Sequence, residues 1–133
     1  MQRKVSRISN LLVIFALILS CMQVGALAAD SSSRMTGISS LSADLIIYSS
    51  GRSESFGYVS TYPGYSVDLT VSLKQDGETI KSWSESGSGK IQIDEPYYVT
   101  PNHDYQVTAT AVVKNSSGVT VDKQTTDSVI VSY

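Results

Sequence analysis

Tyr65-Ser66-Val67-Asp68-Leu69-Thr70-Val71-Ser72-Leu73-Lys74 alternates apolar and polar side chains without a break. Successive side chains of an extended strand point to opposite faces, so this stretch reads as a strand with one face in a core and the other in water. Tyr105, Val107, Ala109, Ala111 and Val113 repeat the pattern, alternating with Gln106, Thr108, Thr110, Val112 and Lys114. After the first strand comes Gln75-Asp76-Gly77-Glu78. Its Asp-Gly pair accepts the positive φ of a type I′ hairpin turn, which makes Gly77 a structural residue and predicts pairing of 65–74 with Glu78–Glu85. Asn115-Ser116-Ser117-Gly118 makes a longer turn of the same kind into Val119, Val121 and Lys123.

Outward from this centre, short β-type segments recur with turn signals roughly every ten residues, and no amphipathic helix interrupts them. The segments are 43–49, 53–60, 65–74, 78–85, 90–94, 104–114 and 119–131, seven in all. The predicted fold is all-β, an antiparallel two-sheet sandwich of about seven strands over 41–133. An eight-stranded jelly roll or a small barrel is the alternative if the last segment divides near Asp127. Residues 29–40, rich in serine and without periodicity, read as a flexible N-terminal arm.

The beginning of the chain has a different character. Arg3, Lys4 and Arg7 precede an unbroken apolar run from Leu11 to Leu19, and Ala26-Leu27-Ala28 sets small residues at −3 and −1 of a cleavage site. This is the plan of a helical signal peptide over 1–28, and it predicts a secreted protein. Ile18-Leu19-Ser20-Cys21 is an alternative processing site, a lipobox, through which Cys21 would tether a lipoprotein to a membrane. An uncleaved anchor is the third reading. No second apolar stretch of spanning length follows in the mature chain.

Composition narrows the chemistry. Of 133 residues, 105 remain after removal of the 28-residue leader, the size of one small domain. Three of the ten basic residues fall in the leader, so the mature part carries seven bases against twelve acids, a charge of −5, which argues against nucleic acid as a partner. The single cysteine, Cys21, lies in the leader, leaving no disulfide, no thiol nucleophile and no cysteine-zinc site. One histidine, His103, is too few for a two-imidazole mechanism and reads as an exposed turn residue. Asp94 and Glu95 are strand neighbours and point apart, a poor general acid and base pair. Asp76 and Glu78 have a turn role, and no calcium-loop spacing is present. The abundant serines lack any nucleophile motif. Neither catalytic residues, metal ligands nor cofactors are expected.

Val99-Thr100-Pro101-Asn102-His103-Asp104-Tyr105-Gln106-Val107 resembles the corner between the fifth and sixth strands of fibronectin type III and immunoglobulin-like domains. The resemblance implies that Tyr105 is a corner tyrosine, its ring buried and its hydroxyl bonded back to the turn. Seven strands are also what those sandwiches have. More widely, the layout from Leu41 to Tyr133 resembles small exported single-domain β-sandwich proteins of Gram-positive bacteria, a group without assigned function. The carrying features are Ile47-Tyr48-Ser49-Ser50-Gly51, the strand into Lys74-Gln75-Asp76-Gly77, Trp83 after the turn, and Tyr97-Tyr98-Val99-Thr100-Pro101. Trp83 is expected to pack on a sheet or in the core, although it is not placed as in antibody domains.

Aromatic residues give the one positive hint of a binding surface. Tyr62-Pro63-Gly64-Tyr65 and Pro96-Tyr97-Tyr98 set tyrosines beside proline in segments read as connections. Tyr62, Tyr65, Tyr97 and Tyr98 therefore form the candidate patch for a cell-surface glycan or protein. The expected role is non-enzymatic extracellular surface recognition, with a carbohydrate-binding or adhesin-like module as the alternative. Mass spectrometry of the exported protein is expected to find Ala29 at its N-terminus. A lipid-modified Cys21 recovered with membranes would establish the other route.

Overall fold

The computed structural model describes Met35–Tyr133. The leader, Cys21 and residues 29–34 of the expected arm lie outside the described residues. Eight strands follow in order: β1 Ile38–Ile47, β2 Arg52–Thr61, β3 Ser66–Gln75, β4 Glu78–Gly87, β5 Lys90–Tyr98, β6 Asp104–Lys114, β7 Thr120–Asp127 and β8 Val131–Ser132. They form two antiparallel sheets, one in the order β1-β2-β5 and the other in the order β4-β3-β6-β7, with β8 also pairing β6.

The two alternating stretches lie side by side at the centre. β3 and β6 pair antiparallel, with Leu69 opposite Ala111 and Val71 opposite Ala109. Val67, Leu69, Val71 and Leu73 of one, and Tyr105, Val107, Ala109, Ala111 and Val113 of the other, are all buried. They meet Leu45, Val59, Ile91 and Ile93 of the three-stranded sheet, and Val99 just after β5, in a single core. Burial of such side chains stabilises by ~1.5–3 kcal/mol each. The β3–β4 turn has Asp76 at φ 51° and Gly77 at φ 86°, the pair of positive angles that a two-residue type I′ hairpin needs.

The strand boundaries differ from the sequence reading in three places. β1 begins at Ile38, inside the stretch read as a flexible arm, because Ile38 is only 2% exposed and Gly37 accepts a hydrogen bond from the Tyr62 amide. β5 runs on through Pro96 to Tyr98, so Tyr97 and Tyr98 belong to a strand and not to a connection. Proline is tolerated there because β5 lies at the edge of its sheet. The last segment divides after Asp127, and β7 and β8 occupy successive lengths of the same side of β6. Ser128 fills the gap: its amide donates to the Val107 carbonyl and its hydroxyl accepts from the Val107 amide.

The sheets approach each other closely at Gly57 of β2. A Cβ there would fall inside the Val71 Cγ2 methyl, with the Ala109 Cβ at 3.6 Å. Gly57→Ala is accordingly expected to cost ~1–3 kcal/mol through overpacking, read as a lowered urea midpoint. Combining it with Val71→Ala should recover part of that loss.

Candidate functional site

Three loops meet at one end of the sandwich. Tyr62-Pro63-Gly64-Tyr65 joins β2 to β3, with the Tyr65 amide donating to the Tyr62 carbonyl at 3.2 Å and Gly64 at φ 87°. Proline at the second position and a positive-φ glycine at the third make this a type II turn, which leaves the Tyr62 ring outside the sheet. Ser88-Gly89 joins β4 to β5 and is fastened to Thr61, whose amide donates to the Gly89 carbonyl and whose Oγ1 accepts from the Gly89 amide. Asn115–Gly118 joins β6 to β7, and the Asn115 Oδ1 accepts from the amides of Ser117 and Val119, both at 3.0 Å.

Together they enclose an open groove of about 470 Å³. Its lining includes Tyr62, Tyr65, Ser66, Ser88, Asn115 and Ser116 and contains no side chain charged at neutral pH. The volume lies within the range of small-ligand sites, about 300–1,000 Å³. Tyr62 is 54% exposed. The hydroxyls of Tyr62, Ser66, Ser88 and Ser116 make no hydrogen bond among the described residues, so the groove offers an aromatic ring and free hydroxyls. Such a lining can hold a neutral polar ligand.

The four candidate tyrosines do not form one patch. Tyr62 follows the last residue of β2, whereas Tyr97 and Tyr98 pair with Ser53 and Arg52 at its first residues. Nine residues of strand separate these places, ~30 Å. Tyr65 and Tyr97 are half-buried and pack against the core. Tyr98 is 72% exposed, on the outer face of the three-stranded sheet. Strand alternation thus splits the Tyr97-Tyr98 pair between inside and outside, and only Tyr62 and Tyr65 border the groove. Trp83 lies on β4 opposite Val71 and packs, half-buried, against the core.

The ionisable groups at the opposite end serve the loops. The Tyr105 ring is fully buried and its hydroxyl donates to the Thr100 carbonyl at 2.6 Å. His103 Nδ1 lies 2.5 Å from Asp76 Oδ2, so the turn histidine is tied to the β3–β4 hairpin turn. Asp76 Oδ1 also accepts from the Asp104 amide at 3.0 Å. The Asp104 carboxylate accepts from the Ser132 hydroxyl, in the other sheet from Asp94 and Glu95. Among the described residues no group of three potential metal ligands occurs.

No protein-family profile matches this chain, and no curated protein does.

The bond from the Asp104 amide, followed by that from His103, holds the Asp76 carboxyl below its ordinary value of 3.8. A depressed pKa means that the contribution to stability is present above the unfolded value and disappears as pH falls through the folded one. Asp76→Asn should therefore be less stable than the parent at about pH 6, and the gap should narrow as pH falls to about 2. Urea unfolding at stepped pH measures it.

Proposed function

We propose that this chain is an exported, non-catalytic recognition domain of a Gram-positive bacterium, and that it contacts its extracellular ligand through the loop groove around Tyr62. The observation that carries this reading is the groove itself: three loops converge at one end, with an exposed ring and unengaged hydroxyls. Immunoglobulin-like sandwiches present their binding loops in the same way, at the end where the second strand meets the third and the sixth meets the seventh. These are the positions of Tyr62–Tyr65 and Asn115–Gly118.

A fibronectin type III-like fold is supported by the sheet order and by the corner. Constant immunoglobulin domains place their fourth strand beside the first, second and fifth. Here β4 instead pairs with β3, in the sheet of β6 and β7, as in fibronectin type III domains. The Tyr105 hydroxyl on Thr100 is the corner bond such domains use. Fold likeness alone does not carry function, and it is the groove that supports recognition.

A carbohydrate ligand is the second reading, favoured by the groove's lack of charge. A sugar ring offers an apolar C–H face for a tyrosine and hydroxyls for Ser66, Ser88 and Ser116. Binding to a glycan array or to isolated peptidoglycan should disappear on Tyr62→Ala and survive Tyr98→Ala, both with melting unchanged. Retention of binding in the Tyr62 variant would refute the assignment.

A further inference from the structure

The solvent-facing sides of the two sheets have different chemistry. On β4, β3, β6 and β7 the rows are hydroxyl-rich: Ser84 lies opposite Thr70, Thr70 opposite Thr110, and Thr110 opposite Thr125. Those hydroxyls engage one another, with Thr70 and Ser84 at 3.0 Å and Ser72 and Ser82 at 2.9 Å. That face is solvated and self-satisfied. The outer face of β1-β2-β5 carries large apolar groups instead. Ile46 is 48% exposed, Tyr48 44% and Tyr98 72%, and Phe56 and Tyr58 are half-exposed beside them. Side chains of this size gathered on one solvent-facing sheet surface mark an interaction site.

The charges on this face select its occupant. Asp44 of β1 lies opposite Phe56 of β2, and Phe56 lies opposite Asp94 of β5, so two carboxylates flank one aromatic ring in a single cross-strand row. Adjacent strands are ~4.8 Å apart, which puts the two backbones ~10 Å from each other across the ring. Glu54 and Ile46 form the next row. Glu54 is neutralised by Arg52 at 3.3 Å, whereas neither Asp44 nor Asp94 has a cationic partner among the described residues. Asp44, Ile46, Glu54, Phe56 and Asp94 enclose a depression of about 200 Å³. That is below the usual range for a whole small ligand, so a single inserted side chain fits it better.

We propose that the outer face of β1-β2-β5 is a docking surface for a basic protein partner, which seats an arginine side chain over Phe56 between Asp44 and Asp94. The ring face attracts a cation through its quadrupole, and a flat guanidinium can both stack on it and bond to the flanking carboxylates. The exposed Ile46, Tyr48 and Tyr98 supply apolar contact around that anchor. A second copy of the chain fits poorly, since a two-fold contact would bring like carboxylates together. This surface is distinct from the loop groove and does not depend on it.

The test is fluorescence anisotropy of labelled peptides titrated with the full chain. The probes are a hexapeptide of alternating arginine and valine, the same peptide with citrulline in place of arginine, and the same with glutamate. The arginine peptide is expected to bind saturably, at least tenfold more tightly than the other two and more weakly as salt rises. Asp44→Asn with Asp94→Asn should weaken it at least tenfold with melting unchanged, Asp94→Lys should do the same, and Tyr62→Ala should leave it intact. Equal binding of the citrulline peptide, absence of saturable binding, undiminished binding by the charge variants, or loss on Tyr62→Ala would each overturn the proposal.

Discussion

Where Val71 reaches across to Gly57, the two sheets have no space to spare, and much of the molecule's arrangement follows from that contact. The inward side of β2 has to be small, and it reads Ser53, Ser55, Gly57 before the chain can admit Val59. Ser53 is reconciled to burial by donating to the Tyr97 carbonyl at 2.6 Å, whereas the Ser55 hydroxyl has no partner among the described residues. Size, more than polarity, decides what stands there. With the inner positions taken by small groups, the bulky residues of the same strand, Phe56 and Tyr58, are turned to the outside. A packing limit in the interior thereby creates the aromatic surface on the exterior.

The two ends of the sandwich are finished differently. At one end side chains tie the connections down: Tyr105 closes its own corner on Thr100, Asp76 joins the β3–β4 turn to His103 and Asp104, and the Tyr133 hydroxyl donates to the Ser49 carbonyl. At the other end Asn115 shapes its own turn and Thr61, at the end of β2, ties the β4–β5 loop through Gly89, and neither uses the hydroxyls of Tyr62, Ser66, Ser88 or Ser116. Side chains there are left over for a ligand. Rigid, self-occupied loops at one pole and available ones at the other are a reasonable division of labour for a small scaffold.

Strict alternation made β3 and β6 legible in the sequence, and Asp76-Gly77 made their hairpin neighbour legible too. Such signals are local, and the core they describe is where the structure puts it. Alternation fails where register is adjusted by an extra residue. In β7, Val113 faces Asp122 and Lys114 faces Thr120, so Val121 is a bulge residue. The bulge displaces Val121 from an inward place to an exposed one and brings in Asp122, which accepts the Thr36 amide at 2.8 Å. Pro96 resembles a stop and so makes Tyr97 and Tyr98 read as a connection, whereas the edge position that permits proline in a strand is a property of the assembled sheet. The groove around Tyr62 was half legible, through its turn residues. Its other walls, Ser88 and Asn115, come from loops remote in sequence, and Asp44, Phe56 and Asp94 come together only through cross-strand register.

Pro96 sits in a strand with a neighbour on one side only. An exposed ladder is a template on which a foreign chain can zip, and such templates seed fibres. A ring in place of the amide hydrogen breaks the template towards the end of β5, with Asp94 and Glu95 just ahead of it to repel an approaching copy. Copies of the chain are thus kept from polymerising side by side along this edge, and Pro96 guards the open flank of the sheet.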